Sequence, residues 1–134
     1  MSDIDSLIDR IVALATIRTD TVGAILSVAF ALDHENPYAR FYKGDGSGRI
    51  KSARMRLDKD GPGWAITACF DIDDPYHETE LELARYGSIV DIQLFPDWRP
   101  EGGVGLAYKH GEYGLLFCFT SESRRLLEFL ISKK

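Results

Sequence analysis

The sequence is poor in the residues that staple, ligate or catalyse. Its 134 residues hold two cysteines, Cys69 and Cys118, and no Cys-x-x-Cys, so it encodes neither a disulfide-framed scaffold nor a zinc site built on cysteine pairs. Both cysteines sit among apolar residues and read as small, reduced hydrophobes; a bridge between them requires that their strands be neighbours. Three histidines occur, His34, His77 and His110, and neither His34-Glu35 nor His77-Glu78 is followed by the second histidine that a metalloprotease helix needs. No serine stands in a Gly-x-Ser-x-Gly elbow; Gly46-Ser47-Gly48 reads as a flexible turn between two polar strands. No apolar run is long enough to span a bilayer, and MSDIDSLIDR is acidic where a secretion leader is basic and then apolar, which points to the cytoplasm. No cofactor or metal is called for by any of this.

What is present is ordinary for a globular chain. Hydrophobic residues make up 45% and charged residues 28%, enough to bury one core without disulfides and too apolar for disorder. The length suits a single domain over residues 1–134. The formal net charge of −5 repels bare nucleic acid and anionic lipid and suits a basic partner.

The clearest element is Tyr113–Thr120, with Leu115, Phe117 and Phe119 on one side of an extended chain and Leu116 and Cys118 on the other. A strand apolar on both faces belongs inside a sheet. Val104–Lys109 and the connection His110-Gly111-Glu112 make it the second arm of a hairpin. Ser88–Phe95, with Val90, Ile92 and Leu94 on one side, reads as a further strand. Arg49–Lys59, a half-exposed strand with Arg54 and Arg56 outward, and Trp64–Ile72 frame the turn Asp60-Gly61-Pro62-Gly63. Tyr38–Lys43 reads as a short strand near an edge, after a polar loop over 33–37.

Ile4, Leu7, Ile8, Ile11 and Leu14 have amphipathic helical spacing, and Thr19-Asp20-Thr21 ends that helix. Val22–Leu32 alternates and predicts a long strand. A short helix is predicted from Asp74, with Asp74 as N-cap, Pro75 at the first helical position and Gly87 as the stop. A last helix is predicted over Ser121–Ser132, carrying Leu126, Leu127, Leu130 and Ile131. The expected fold is α+β: a mainly antiparallel sheet of about six to seven strands, packed by N-terminal, short central and C-terminal helices.

The candidate functional stretch is Asp71–Glu82, six acids in twelve residues. On a helix, Asp74, Glu78 and Glu82 share one ridge, and Asp73 and His77 stand one turn apart. The stretch reads either as a solvated, well-capped helix start or as an acidic recognition surface; metal binding between its acids and His77 is the weaker option. On the recognition reading, the contact residues are Asp71, Asp73, Asp74, Tyr76, Glu78, Glu80 and Glu82, joined by Trp98 from the loop over 96–103. The basic residues around Arg54 lack interleaved aromatics and read as an outward sheet face rather than a nucleic-acid surface.

A compact acidic α+β chain with an acid-rich segment at Asp71–Glu82, aromatic-bearing polar loops and no catalytic motif resembles the immunity proteins of bacterial toxin–immunity pairs. The resemblance is one of overall character across the chain. It implies a cytoplasmic, non-catalytic inhibitor, monomeric or homodimeric, that binds a basic toxin domain and blocks its active site. The chain also resembles type III secretion chaperones, which are small, acidic, α+β and dimeric, but it has more strands and a short final helix. A small ligand-binding domain or enzyme using His77 and nearby acids is the competing class.

Overall fold

The computed structural model describes residues 3–71, 76–98 and 101–134. Among these the chain forms two α-helices, nine strands and two short 3-10 turns. The helices are α1 (Asp3–Val12) and α2 (Thr19–Leu26). The strands are β1 (Ala31–Glu35), β2 (Ala39–Asp45), β3 (Ile50–Asp58), β4 (Trp64–Phe70), β5 (Tyr76–His77), β6 (Ile89–Phe95), β7 (Gly103–His110), β8 (Tyr113–Thr120) and β9 (Arg125–Lys133). All pair antiparallel in one sheet of order β1-β2-β3-β4-β9-β8-β7-β6, with β5 pairing the start of β9. The fold is thus broadly α+β, with more strand and less helix than the sequence pattern suggests.

Four segments depart from that pattern. The predicted final helix is β9, the strand that joins the two halves of the sheet. Its core residues are Leu126, Phe129 and Ile131, because a register shift opposite Cys118 and Phe119 skips Leu127. The bulge breaks the two-residue alternation, and what remains imitates helical spacing. The serine-rich start is a tight turn, with Arg124 at φ 53° and the Thr120 hydroxyl accepting the Arg125 N–H at 2.9 Å.

The predicted strand Val22–Leu32 is α2 followed by a sharp return into β1. A short apolar run fits either period. The local signals decide for helix: the Thr21 N–H donates to the Asp20 carboxylate at 2.8 Å, and Asp20 sits in the positive first turn. Ser27 at φ 58° closes the helix. Gly23 is required because any side chain there would strike the Val28 carbonyl. The polar loop at 33–37 is partly strand, since Asp33, His34 and Glu35 complete β1 at the sheet's edge. The predicted central helix is replaced by the two 3-10 turns, Glu78–Glu80 and Leu83–Tyr86, ending at Gly87.

One face of the sheet carries the core. Met55, Ile66, Ile131 and Leu115 lie side by side across β3, β4, β9 and β8, as do Ala68, Phe129 and Phe117 across β4, β9 and β8. They form one buried cluster with Ile4, Ile8 and Ile11 of α1 and Val22 and Leu26 of α2. The alternate residues Arg54, Thr67, Leu130 and Leu116 form the other, open face. No helix among the described residues is long and apolar enough to cross a membrane.

Phe129 is 1% exposed and packs on Phe70 at 5.9 Å, on the strand that joins both halves. Phe129→Ala is expected to lower unfolding free energy by about 3–5 kcal/mol in denaturant titration.

Candidate functional site

The acid-rich segment does not form one helical ridge. Tyr76 and His77 add to the edge of β9, and Glu78 and Glu82 sit at the starts of separate 3-10 turns. Asp73 and Asp74 lie outside the described residues. Asp71 follows β4, and its N–H donates to the Arg49 carbonyl at 3.2 Å. Tyr76 is buried rather than displayed; its ring lies 4.0 Å beneath the Arg49 guanidinium and edge-on to Phe70. Glu78 faces Arg124 at 3.7 Å. Glu80 accepts the His77 N–H at 2.7 Å and reaches Arg49 at 4.0 Å. Glu82 is exposed.

Of these acids, Glu82 is carried by a frame that begins at Asp5. That carboxylate is fully buried on the core side of α1, accepts the Glu82 N–H at 3.0 Å and accepts the Tyr86 hydroxyl in a short hydrogen bond. Tyr86 is buried against Phe117 at 5.4 Å and His110 at 5.4 Å. Burial, and then the Asp5 carboxylate, push its phenol well above the ordinary range. Next to it Arg85 grips the Asp9 carboxylate with contacts of 2.7 and 2.9 Å. Helix α1 therefore holds the second turn, Leu83–Tyr86, from below. Asp5 reads in the sequence as an ordinary first-turn acid. Its place beside Ile4 and Ile8, on the apolar stripe, is the signal that it must have buried partners.

Trp98 belongs to a second loop. It stacks on Phe95 at 4.4 Å and lies against Gly103, where a side chain would meet its ring. Glu101 anchors this loop to the turn after β8 by accepting the Glu122 and Ser123 N–H groups at 2.9 and 2.7 Å. These bonds, with the Ser123 hydroxyl, hold the Glu101 carboxyl down at about 2. Arg124, in that same turn, faces Glu78. The predicted contact set is thus two patches flanking the turn 121–124.

The open face offers little chemistry. Cys69 and Cys118 both stand beside Glu128, on the two strands that flank β9. Two strand spacings of about 4.8 Å put them beyond disulfide reach. Burial raises both thiols, Cys118 to about 12, so neither is a thiolate at neutral pH. An open groove lies over His34, Phe41, Lys43, Arg54, Arg56 and Thr67. Its cations face internal carboxylates: Lys43 Asp33 at 3.1 Å, Arg56 Asp58 at 3.1 Å and Arg54 Glu128 at 3.9 Å. Among the described residues no group of three or more His, Cys, Asp or Glu is placed to hold a metal ion.

No protein-family model matches the chain, and no curated protein or solved structure matches it at a significant level.

Tyr86→Phe removes the donor to Asp5 while keeping the ring, and is expected to cost about 1–3 kcal/mol in denaturant unfolding. The wild type should also lose stability as pH rises above about 10, where the unfolded phenol ionises and the folded one does not. The Tyr86→Phe variant should show less of this alkaline loss.

Proposed function

We propose that the chain is a non-catalytic binding protein of the immunity type, which neutralises a basic partner protein through the acidic surface formed by Asp71, Glu78, Glu80 and Glu82. The observation that supports this reading is the ordering of the acids before any partner arrives. Glu78 and Glu80 are steered by Arg124 and Arg49, while the backbone of Glu82 is tied to the buried Asp5. Carboxylates on a fixed frame lose little conformational freedom on binding, and those of Glu78 and Glu80 are partly balanced by Arg124 and Arg49, which a basic partner would replace. Tyr76 supports this surface from beneath. The net charge of −5 adds long-range attraction of the same sign.

The test begins with the tagged chain in its native cell, with mass spectrometry of what co-purifies. A stoichiometric basic protein is expected. Glu78→Lys, Glu80→Lys and Glu82→Lys together should weaken that complex by on the order of a hundredfold and flatten its salt dependence. Asp60→Lys, in the β3–β4 turn, serves as a net-charge control and should have little effect. A chain that emerges alone, or a complex indifferent to the three reversals, contradicts the reading.

A further inference from the structure

The two edges of the sheet are built differently. At the β1 edge stand Asp33, His34 and Glu35, and Asp33 and Glu35 are ion-paired to Lys43 and Lys59 at 3.1 and 2.9 Å. Charges on an edge strand oppose pairing with another chain. The β6 edge has the opposite character. Ile89, Val90, Ile92 and Leu94 are 45%, 64%, 58% and 74% exposed, and Asp91 is the strand's one charge. Ile92 and Leu94 lie beside Leu106 and Val104 of β7, which are buried. Among the described residues, the cover over the core face therefore stops short of β6 and leaves a row of large apolar side chains along an edge with no strand partner. Such a row on a soluble chain marks an association surface.

The order of residues in β6 indicates what fits it. Read from either end of Ile89-Val90-Asp91-Ile92-Gln93-Leu94-Phe95, the strand has the same polarity. We propose that a second copy of this chain docks there, with β6 antiparallel to β6 about a two-fold axis through Ile92. In that register Ile92 meets its own counterpart and Asp91 faces the neutral Gln93 amide, while Val90, at the register shift between Ile89 and Asp91, comes near Leu94 of the second copy. The two Asp91 carboxylates stand apart along the strands, so no like charges are opposed. In the free chain the Ile92 N–H donates to the Asp91 carboxylate at 2.9 Å. That local cap gives way to a carbonyl of the second copy.

Geometry separates this arrangement from other pairings. Joining β6 to β1 would set apolar residues against charged ones and leave an open β6 for the next copy, giving chains without end. Joining β6 to β6 uses the apolar edge of both copies and closes at two. The eight-strand path then continues unbroken through the dimer, with a charged β1 at each end. This inference does not depend on the acidic surface, which is formed from other elements.

The test is sedimentation velocity of the full chain across a range of concentrations, alongside Ile92→Lys. The wild type is expected to sediment as a dimer. The variant should sediment as a monomer with unchanged far-UV circular dichroism, since residue 92 is exposed in the single chain, and its dimer should be weakened by on the order of a hundredfold or more, because a lysine would be buried in each copy. Register is read separately in a Cys69→Ser, Cys118→Ala background: Ile92→Cys should cross-link to itself under mild oxidation, and Val90→Cys should not. A wild type that stays monomeric or grows into longer assemblies, a dimer that survives Ile92→Lys, or equal cross-linking at 90 and 92 would overturn the proposal.

Discussion

A buried carboxylate sets the conditions for the helical side of this protein. Asp5 is fully buried among isoleucines, and a charge in that position is tolerable only when donors surround it. The donors come from far along the chain, the Glu82 N–H and the Tyr86 hydroxyl. To reach Asp5 they must be held close to α1, and this favours the tight 3-10 turn Leu83–Tyr86 with Glu82 at its start. Glu78 and Glu80 lie in the neighbouring turn, positioned by Arg124 and by His77 and Arg49. One buried group thereby links the packing of α1 to the placement of Glu82.

The sheet supplies the complementary constraint. Because β9 bridges β4 and β8, the meander of the first half and the hairpin of the second form one surface. That surface is asymmetric in two ways. One face is covered as far as β7, while the other is left to Arg54, Thr67, Leu130 and Leu116, with its cations facing internal carboxylates. One edge is charged and the other apolar. Acidic turns, a charge-balanced open face and an apolar edge are the distinctive features of this molecule's surface.

The strands β2 to β4 and β6 to β8 were largely legible in the sequence. Trp64, Ile66, Ala68 and Phe70 alternate without interruption and are buried as that alternation requires. The hairpin of β7 and β8 pairs residue for residue from Gly103–Thr120 to His110–Tyr113. Legibility failed where the period was broken or shared. At β9 a bulge removes Leu127 from the alternation and leaves helix-like spacing. At α2 an eleven-residue apolar run satisfies both periods, and the first-turn acid Asp20 and the C-cap Ser27 carry the decision. The acid-rich segment has every mark of a helix start, yet its geometry is set by Asp5, distant in sequence. Of the candidate site, the segment itself was legible; Tyr76 as a buried support and Trp98 as part of a separate patch were not. The exposure of Val90, Ile92 and Leu94 was hidden as well, because alternation shows that a strand has an apolar side and not whether anything covers it.

The central claim is that the Asp5 carboxylate holds Glu82 and the Leu83–Tyr86 turn against α1 in the free protein. Hydrogen exchange at the Glu82 amide, followed by NMR, tests this most directly. Glu82 is exposed and sits at the start of a short turn, where its amide donates to the Asp5 carboxylate at 3.0 Å. The account predicts that it exchanges with protection comparable to the amides of β9 and that this protection is lost in Asp5→Asn. Exchange of the wild-type Glu82 amide at the rate of an open loop would contradict it.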